Sequence, residues 1–246
     1  QAYWRGQGKP APVTQLAMNG GSFQPRTVTA LCVLSSEGFK VGDPNAEQYI
    51  RAELMRAKRQ AMDIALVDPA NDGVANEKPA SLLNGVTPVS ATGDTEYDLK
   101  AVIDDFPGDL ERAFFVARPE TFASLHSPYR PLVGARGGEL LGIPCIASKH
   151  VPQPMSGETL ALIDPTGIVA GDDGIEAEIS EEATLEMLDS SLEQDATDGT
   201  GATTAGMVSL FQIGAKAIKI ERRVNWNAVR PSVSYIEDLA IEAVSA

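Results

Sequence analysis

Between Asp43-Pro44 and about Leu66 the chain carries one unbroken helical pattern, longer than any other element its sequence permits. Asp43 can cap the free amides of a first turn, Pro44 is pre-set for the first helical position, and Asp68-Pro69 stops the run. Ile50, Leu54, Ala57, Ala61, Ile64 and Ala65 recur at helical spacing and predict its apolar stripe. At roughly 1.5 Å per residue the helix is about 30 Å long, enough to brace a whole domain.

Around this rod the elements are short and of both kinds. Gly6, Gly8, Pro10 and Pro12 surround Tyr3 and Trp4, so residues 1–12 predict an extended arm. Branched residues at 13–17 and 26–34 flank the turn signal Asn19-Gly20-Gly21 and predict two strands. Residues 70–93, rich in Gly, Pro, Asn and Ser, read as a loop crossing between two parts of the fold. A helix over 94–106, with Leu99, Val102, Ile103 and Phe106 on one face, opens a second domain. It continues with an apolar strand at 113–117, a short helix at 119–126 and a buried strand at 140–148.

Further on, Ile175, Ala177 and Ile179 alternate with Glu176, Glu178 and Ser180, which predicts a strand with one packed face and one wet face. Residues 194–206 have a linker composition that could return the chain to the first domain. Residues 215–226 set Ile218, Ile220 and Val224 against Lys219, Glu221 and Arg223, a long half-exposed strand that offers a face or an edge to a neighbour. No internal repeat is present, and the fold class is α+β.

Composition narrows the function. With 246 residues, of which 43% are hydrophobic, the chain is expected to fold as one or two domains on packing alone. It has no run of 18 or more apolar residues and no basic-then-apolar leader, so neither a membrane span nor export is expected, and the product is expected to be cytosolic. Gln1 in place of Met leads us to expect that an upstream segment was removed. Residues 151–215 hold 13 acidic side chains and no Lys or Arg, which accounts for nearly all of the net charge of −14. Such a chain does not bind nucleic acid tightly and generally, since that binding runs on counterion release to Lys and Arg.

The search for reactive chemistry finds little. The P-loop pattern and G-x-S-x-G are absent, and Gly199, Gly201 and Gly206 have the wrong spacing for a dinucleotide fingerprint. Cys32 and Cys145 have no CxxC partner, so they predict core thiols, not disulfides or a zinc knuckle. A hydrolase using Cys145 with His150 or His126 is the one nucleophile-and-base reading to weigh. Against it, Cys145 and His150 are an odd number of residues apart and would face opposite sides of a straight strand. Two histidines exclude a multi-histidine metal site. Asp172-Asp173-Gly174 and residues 195–199 are the places to ask about Ca²⁺, but neither follows the EF-hand spacing, and a solvated acidic surface is the expectation. No cofactor is expected.

The order of the pieces is informative: an arm, a long helix ending in Val67-Asp68-Pro69-Ala70, a loop holding Pro79 and Leu82-Leu83-Asn84-Gly85, then an inserted α/β unit. Three further passages are Ala117-Arg118-Pro119-Glu120-Thr121-Phe122 with Leu125, then Leu140-Leu141-Gly142-Ile143-Pro144-Cys145-Ile146-Ala147-Ser148, and residues 215–231. In this order they resemble the major capsid proteins of tailed bacteriophages, which share the Hong Kong 97-like fold. The resemblance covers nearly the whole chain.

It implies a peripheral domain in two parts, 1–93 and 201–246, with an inserted axial α/β domain at 94–200. The helix carrying Ile50 would be the spine helix, residues 215–226 the long strand of the peripheral sheet, and residues 1–12 the remnant of an extended loop. The implied function is a structural head subunit of a tailed phage or prophage, not an enzyme. It would self-assemble into an icosahedral shell around double-stranded DNA, made in the host bacterial cytoplasm and located in the virion. Implied partners are copies of itself in pentamers and hexamers, with scaffold, portal and decoration proteins, but no sequence-specific nucleic acid and no membrane. Tyr3, Trp4, Arg222 and Arg223 are the candidate subunit contacts, the Arg222-Arg223 pair competing with a reading as a solvated strand end. Some relatives weld subunits through a lysine and an asparagine; no such pair is assigned here. The alternatives are an encapsulin-type compartment shell and, from another class, the Cys-His hydrolase.

Overall fold

The computed structural model describes residues 24–35, 46–153, 157–187 and 206–241. The expected arm with Tyr3 and Trp4, the strand at 13–17, the Asp43-Pro44 cap and nearly all of the 194–206 linker lie outside the described residues. In chain order the elements are β1 (Arg26–Ser35), α1 (Ala46–Val67), α2 (Thr95–Asp104), β2 (Phe114–Ala117), α3 (Pro119–Leu125), β3 (Val133–Gly134), β4 (Gly137–Leu140) and β5 (Ile143–Ala147). They continue with β6 (Glu158–Ile163), a 3-10 turn (Pro165–Gly167), β7 (Ile168–Ser180), β8 (Thr184–Met187), β9 (Gly206–Ser209), α4 (Leu210–Ile213), β10 (Ala215–Ala228) and β11 (Val233–Leu239).

A six-stranded sheet in the order β11-β6-β2-β5-β4-β3 forms the larger unit, with β2 and β5 parallel and the other pairs antiparallel. Strand alternation divides its side chains between two cores. Phe115, Ala117, Leu160, Leu162 and Ile236 pack with Leu99 and Val102 of α2 and with Phe122 and Leu125 of α3. Their neighbours Val116, Ala161, Ile163, Val233 and Tyr235 pack on the other side with Ala65 and Val67 of α1, with Leu82 and Leu83, and with Trp226 of β10. Strands buried on both faces read as continuous apolar runs, which is why β2 is Phe-Phe-Val-Ala.

The second unit is a three-stranded antiparallel sheet in the order β1-β10-β7, with α1 packed on β1 and β10. Strand pairing runs across the expected boundaries in two places. β7 falls within 94–200 yet pairs with β10, and β11 falls within 201–246 yet pairs with β6.

The face that α1 turns to the sheet matches the predicted stripe only in part: Ala65 is buried and Ile50, Leu54 and Ile64 are half-buried. Ala57 and Ala61 are exposed, while Lys58, Ala65 and Val67 are buried. Alanine buries too little area to fix a helix's rotation; Lys58 is buried on this helix instead, and Met62 packs against the cluster that holds Val224 and Trp226 of β10.

The 70–93 segment is a clamp on the end of α1. Asn71, 6% exposed, donates its side-chain amide to Ala65 O at 2.7 Å and to Pro79 O at 3.0 Å. The Ser81 hydroxyl donates to Leu66 O at 2.9 Å, and Leu82 N donates to the same carbonyl at 2.9 Å. Helices leave their last carbonyls without partners, and here the returning loop supplies the donors. An Asn71→Ala variant leaves the helix carbonyl of Ala65 and the loop carbonyl of Pro79 without that donor and is expected to lose about 1–3 kcal/mol of unfolding free energy in a denaturant titration.

The strand expected at 140–148 is a hairpin. β4 and β5 meet in a two-residue turn, Leu141-Gly142, with φ of +54° and +79°. This is the primed turn that matches strand twist, and it usually takes Asn-Gly. Leucine in the left-handed region costs roughly 1–2 kcal/mol, so Leu141→Asn is expected to raise the isolated chain's stability by about 1 kcal/mol in thermal melts.

Candidate interaction surface

Reactive groups come first. Cys145 points into the core beneath α2 and α3, and burial pushes its thiol up to about 11, with Glu139 adding to the rise and a backbone hydrogen bond at Leu140 opposing it. A thiolate nucleophile needs the opposite shift. His126 lies with Nδ1 at 2.9 Å from Val133 O, and the backbone amide of His150 donates to the Ser148 hydroxyl at 3.3 Å. Neither histidine has Cys145 as a hydrogen-bond partner. Cys145 is the core thiol the sequence predicts, while Cys32 is only partly buried.

The proposed calcium position is committed elsewhere. Arg222 holds Asp172 through two hydrogen bonds, Nε to Oδ1 at 3.0 Å and Nη2 to Oδ2. That guanidinium, with the Gly174 amide, keeps the Asp172 carboxyl at about 2. Among the described residues no three His, Cys, Asp or Glu side chains converge as metal ligands, and no helix is long and apolar enough to cross a membrane. Residues 195–199 lie outside the described residues.

The predicted contact residues Arg222 and Arg223 sit on opposite faces of β10, next to a bulge against β7. Arg223 pairs with Asp173 at 3.5 Å and with Glu176 at 3.6 Å. On the same face Lys219 pairs with Glu178 at 3.0 Å and with Glu221 at 3.2 Å. The acid of β7 is therefore matched by the base of β10, within one sheet. Such exposed pairs contribute little each and mainly set register.

The opposite face of this sheet carries the aligned rows Cys32-Ile218-Ile179, Ala30-Ile220-Ala177 and Val28-Arg222-Ile175. Beneath α1, Ile218 and Ile220 are buried, but on the edge strand β7 Ile175 is 47% exposed and Ile179 is 44% exposed. The sequence predicts this β7 face as packed; among the described residues it is left exposed, since α1 packs on β1 and β10. A 13-residue edge strand with uncovered isoleucines is a surface that a soluble chain normally blunts.

Lys58 is the functional candidate that sequence reading misses. It is 3% exposed, and its Nζ has no hydrogen-bond partner. Burial, then the nearby Arg222, holds its ammonium below the usual lysine range, with Asp172 pulling the other way. A lysine among Met55, Arg56, Ala57 and Arg59 carries no sequence signal of burial.

The phage capsid family model matches residues 1–232 of this chain. A capsid polyprotein of Pseudomonas phage PAJU2 is 32% identical over 254 residues, covering 95% of this chain, and the chain spans 37% of that protein's length. Among solved structures, one of Microbacterium phage Oxtober96 superposes with a TM-score of 0.65 at 14% identity, covering 96% of this chain and 81% of that one. A structure of the SrpI encapsulin complex from Synechococcus elongatus PCC 7942 gives 0.54 at 12% identity, covering 90% and 76%. At these identities the superpositions speak for the fold, which is Hong Kong 97-like.

Proposed function

We infer that this chain, which belongs to the phage capsid family, is a structural head subunit whose work is done by its outer surfaces. The observation that supports the reading is the edge strand β7, whose Ile175 and Ile179 are nearly half exposed among the described residues, and a neighbouring copy lying on them would complete the packing pattern. Closed symmetry repeats such a modest contact over many copies, so no single interface needs to be large. The subunit would form pentamers and hexamers of an icosahedral shell around double-stranded DNA, with the virion as its location. Its net charge of −14 suits a container that must not adhere to the polyanion inside. Scaffold, portal and decoration proteins are the further partners this reading implies.

The division into a peripheral domain (1–93 and 201–246) and an axial domain (94–200) is retained as the working description, with β7 and β11 as the strands that tie the two together. Tyr3, Trp4, Arg222 and Arg223 remain proposed subunit contacts. Arg222 and Arg223 would act through the β7 carboxylates that they hold in register.

Full-length protein expressed alone and viewed by negative-stain electron microscopy tests the reading: closed, uniform shells are expected. A shell that co-purifies with a cargo enzyme would instead favour the encapsulin-type compartment. Only monomers at high concentration would count against both. Rapid, selective labelling of Cys145 by iodoacetamide at neutral pH would revive the hydrolase; slow labelling is expected of a thiol raised to about 11.

A further inference from the structure

A glycine that follows asparagine or aspartate makes a reactive pair, because its amide nitrogen can attack the side-chain carbonyl one residue back and no Cβ crowds the approach. Among the described residues three such pairs occur, Asp72-Gly73, Asn84-Gly85 and Asp173-Gly174, while Asn19-Gly20 and Asp198-Gly199 lie outside them. Their surroundings differ. The Gly73 amide donates to Asn71 Oδ1 at 3.2 Å, and a Cβ at Gly73 would lie 2.7 Å from Ala80 N, so that pair is both held and packed. The Gly174 amide donates to Asp172 Oδ1 at 3.1 Å. The Gly85 amide has no hydrogen-bond partner among the described residues, and the space where its Cβ would stand is open to 4 Å.

Asn84 and Gly85 are exposed in a turn that the Val86 amide closes onto Leu83 O at 3.2 Å, with Gly85 at φ +76°. One hydrogen bond restrains the asparagine, whose Nδ2 donates to Pro69 O at 3.2 Å just past the end of α1. That bond ties the turn to the helix end. The two residues before it, Leu82 and Leu83, are buried beside Ala65 and Val67.

We propose that Asn84 is a site of spontaneous deamidation and that its conversion loosens the clamp on α1. Hydroxide takes the proton of the Gly85 amide, the nitrogen forms a bond to Asn84 Cγ, and the Cγ–Nδ2 bond breaks, the side-chain nitrogen leaving as ammonia with a proton from water. Water then opens the cyclic imide, giving aspartate where it adds at Cγ and isoaspartate where it adds at the backbone carbonyl carbon. Water and hydroxide are the only co-reactants, and nothing is oxidised or reduced. Either product exchanges the donor to Pro69 O for a carboxylate that repels that oxygen, and isoaspartate also lengthens the main chain beside Leu83. The chemistry needs only the folded chain, assembled or not.

Full-length protein held in mildly alkaline buffer, digested at acidic pH and read by mass spectrometry tests this, each pair being compared with itself in the urea-unfolded chain. The peptide carrying Asn84 is expected to gain the amide-to-acid mass difference and to become a substrate for a protein isoaspartate methyltransferase. Its rate in the folded protein is expected to stay within about tenfold of the unfolded rate, whereas isomerisation at Asp72 and Asp173, whose glycine amides are engaged, slows by more than that. Asn84→Gln keeps a side-chain amide but enlarges the ring that must close, and labelling of this peptide is expected to vanish. Gly85→Ala crowds the nitrogen at a left-handed position and is expected to slow conversion by about tenfold or more; Asn84→Gln carries the test should this variant fold poorly. Converted protein, separated by its extra negative charge, is expected to exchange the Leu82 amide hydrogen, bonded to Leu66 O at 2.9 Å, about three- to tenfold faster than unconverted protein.

Asn84 protected on folding as strongly as Asp72 and Asp173, or labelling that survives Asn84→Gln, would overturn the site. Converted protein whose Leu82 amide exchanges at the unconverted rate would overturn the loosening.

Discussion

An Ile175→Lys, Ile179→Lys double variant is expected to fold normally and form no shells. Both side chains are nearly half exposed in the single chain, so the substitutions remove little buried area there. Surface changes of this kind usually stay within about 0.5 kcal/mol each, and the melting temperature of the monomer is expected to move by no more than about 4 °C. In the proposed shell the same positions are covered, and each isoleucine lost forfeits about 1 kcal/mol per contact, since only the exposed half of the side chain remains to be buried, to which the burial of a lysine adds. Repeated over every copy, the loss is all or none in practice, and size-exclusion chromatography should show monomers or small oligomers only. Ile175→Val with Ile179→Val keeps the apolar character and is expected to assemble. Shells from the lysine variant, indistinguishable from wild type, would remove β7 from the interface.

The second large effect is at Lys58. Its Nζ is buried with no partner and lies beside Arg222, so the folded state carries the cost of an unsatisfied ammonium. Lys58→Met keeps an unbranched side chain in the buried position and removes the charge; it is expected to stabilise the chain by about 1–2 kcal/mol and raise its melting temperature by about 2–8 °C. The pH dependence follows from the direction of the shift. A lysine whose pKa is lowered on folding binds fewer protons folded than unfolded between the lowered value and the usual value of about 10.4. Stability contributed by this site therefore rises with pH through that window, and Lys58→Met should flatten the alkaline limb of the profile. A destabilised Lys58→Met variant would mean that Nζ has an acceptor in solution.

These effects mark where sequence and structure part. β1 and β10 were legible because Arg26–Ser35 is rich in branched residues and Ala215–Ala228 alternates, and α2 because Leu99, Val102, Ile103 and Phe106 recur on one face. The extent of α1 was legible from its periodicity; its rotation was not, because Ala57 and Ala61 dilute a stripe that Lys58 occupies by packing. β6 lies in the acid-rich stretch, and its run from Thr159 to Ile163 is buried on both faces, so averaging over 151–215 conceals a core strand. β11 ends in Glu237-Asp238-Leu239, and its partner β6 is some 70 residues away in sequence, a pairing that local pattern cannot register.

The interaction surface was legible in kind and not in place. Arg222 and Arg223 drew notice as a charge pair, yet each meets carboxylates of β7 inside the chain. Ile175, Ala177 and Ile179 have the alternation of a packed face, yet all three are exposed in the single chain, and the proposed shell contact would supply the missing cover. Sequence periodicity reports which face is to be dry, without saying whether the cover comes from the same molecule.

A near-atomic cryo-electron-microscopy map of particles formed by the full-length protein tests the central claim most directly. The expected result is a closed shell in which a neighbouring copy covers Ile175 and Ile179 of β7. Particles in which that edge faces solvent all around the shell, or protein that remains monomeric wherever it is soluble, would contradict it.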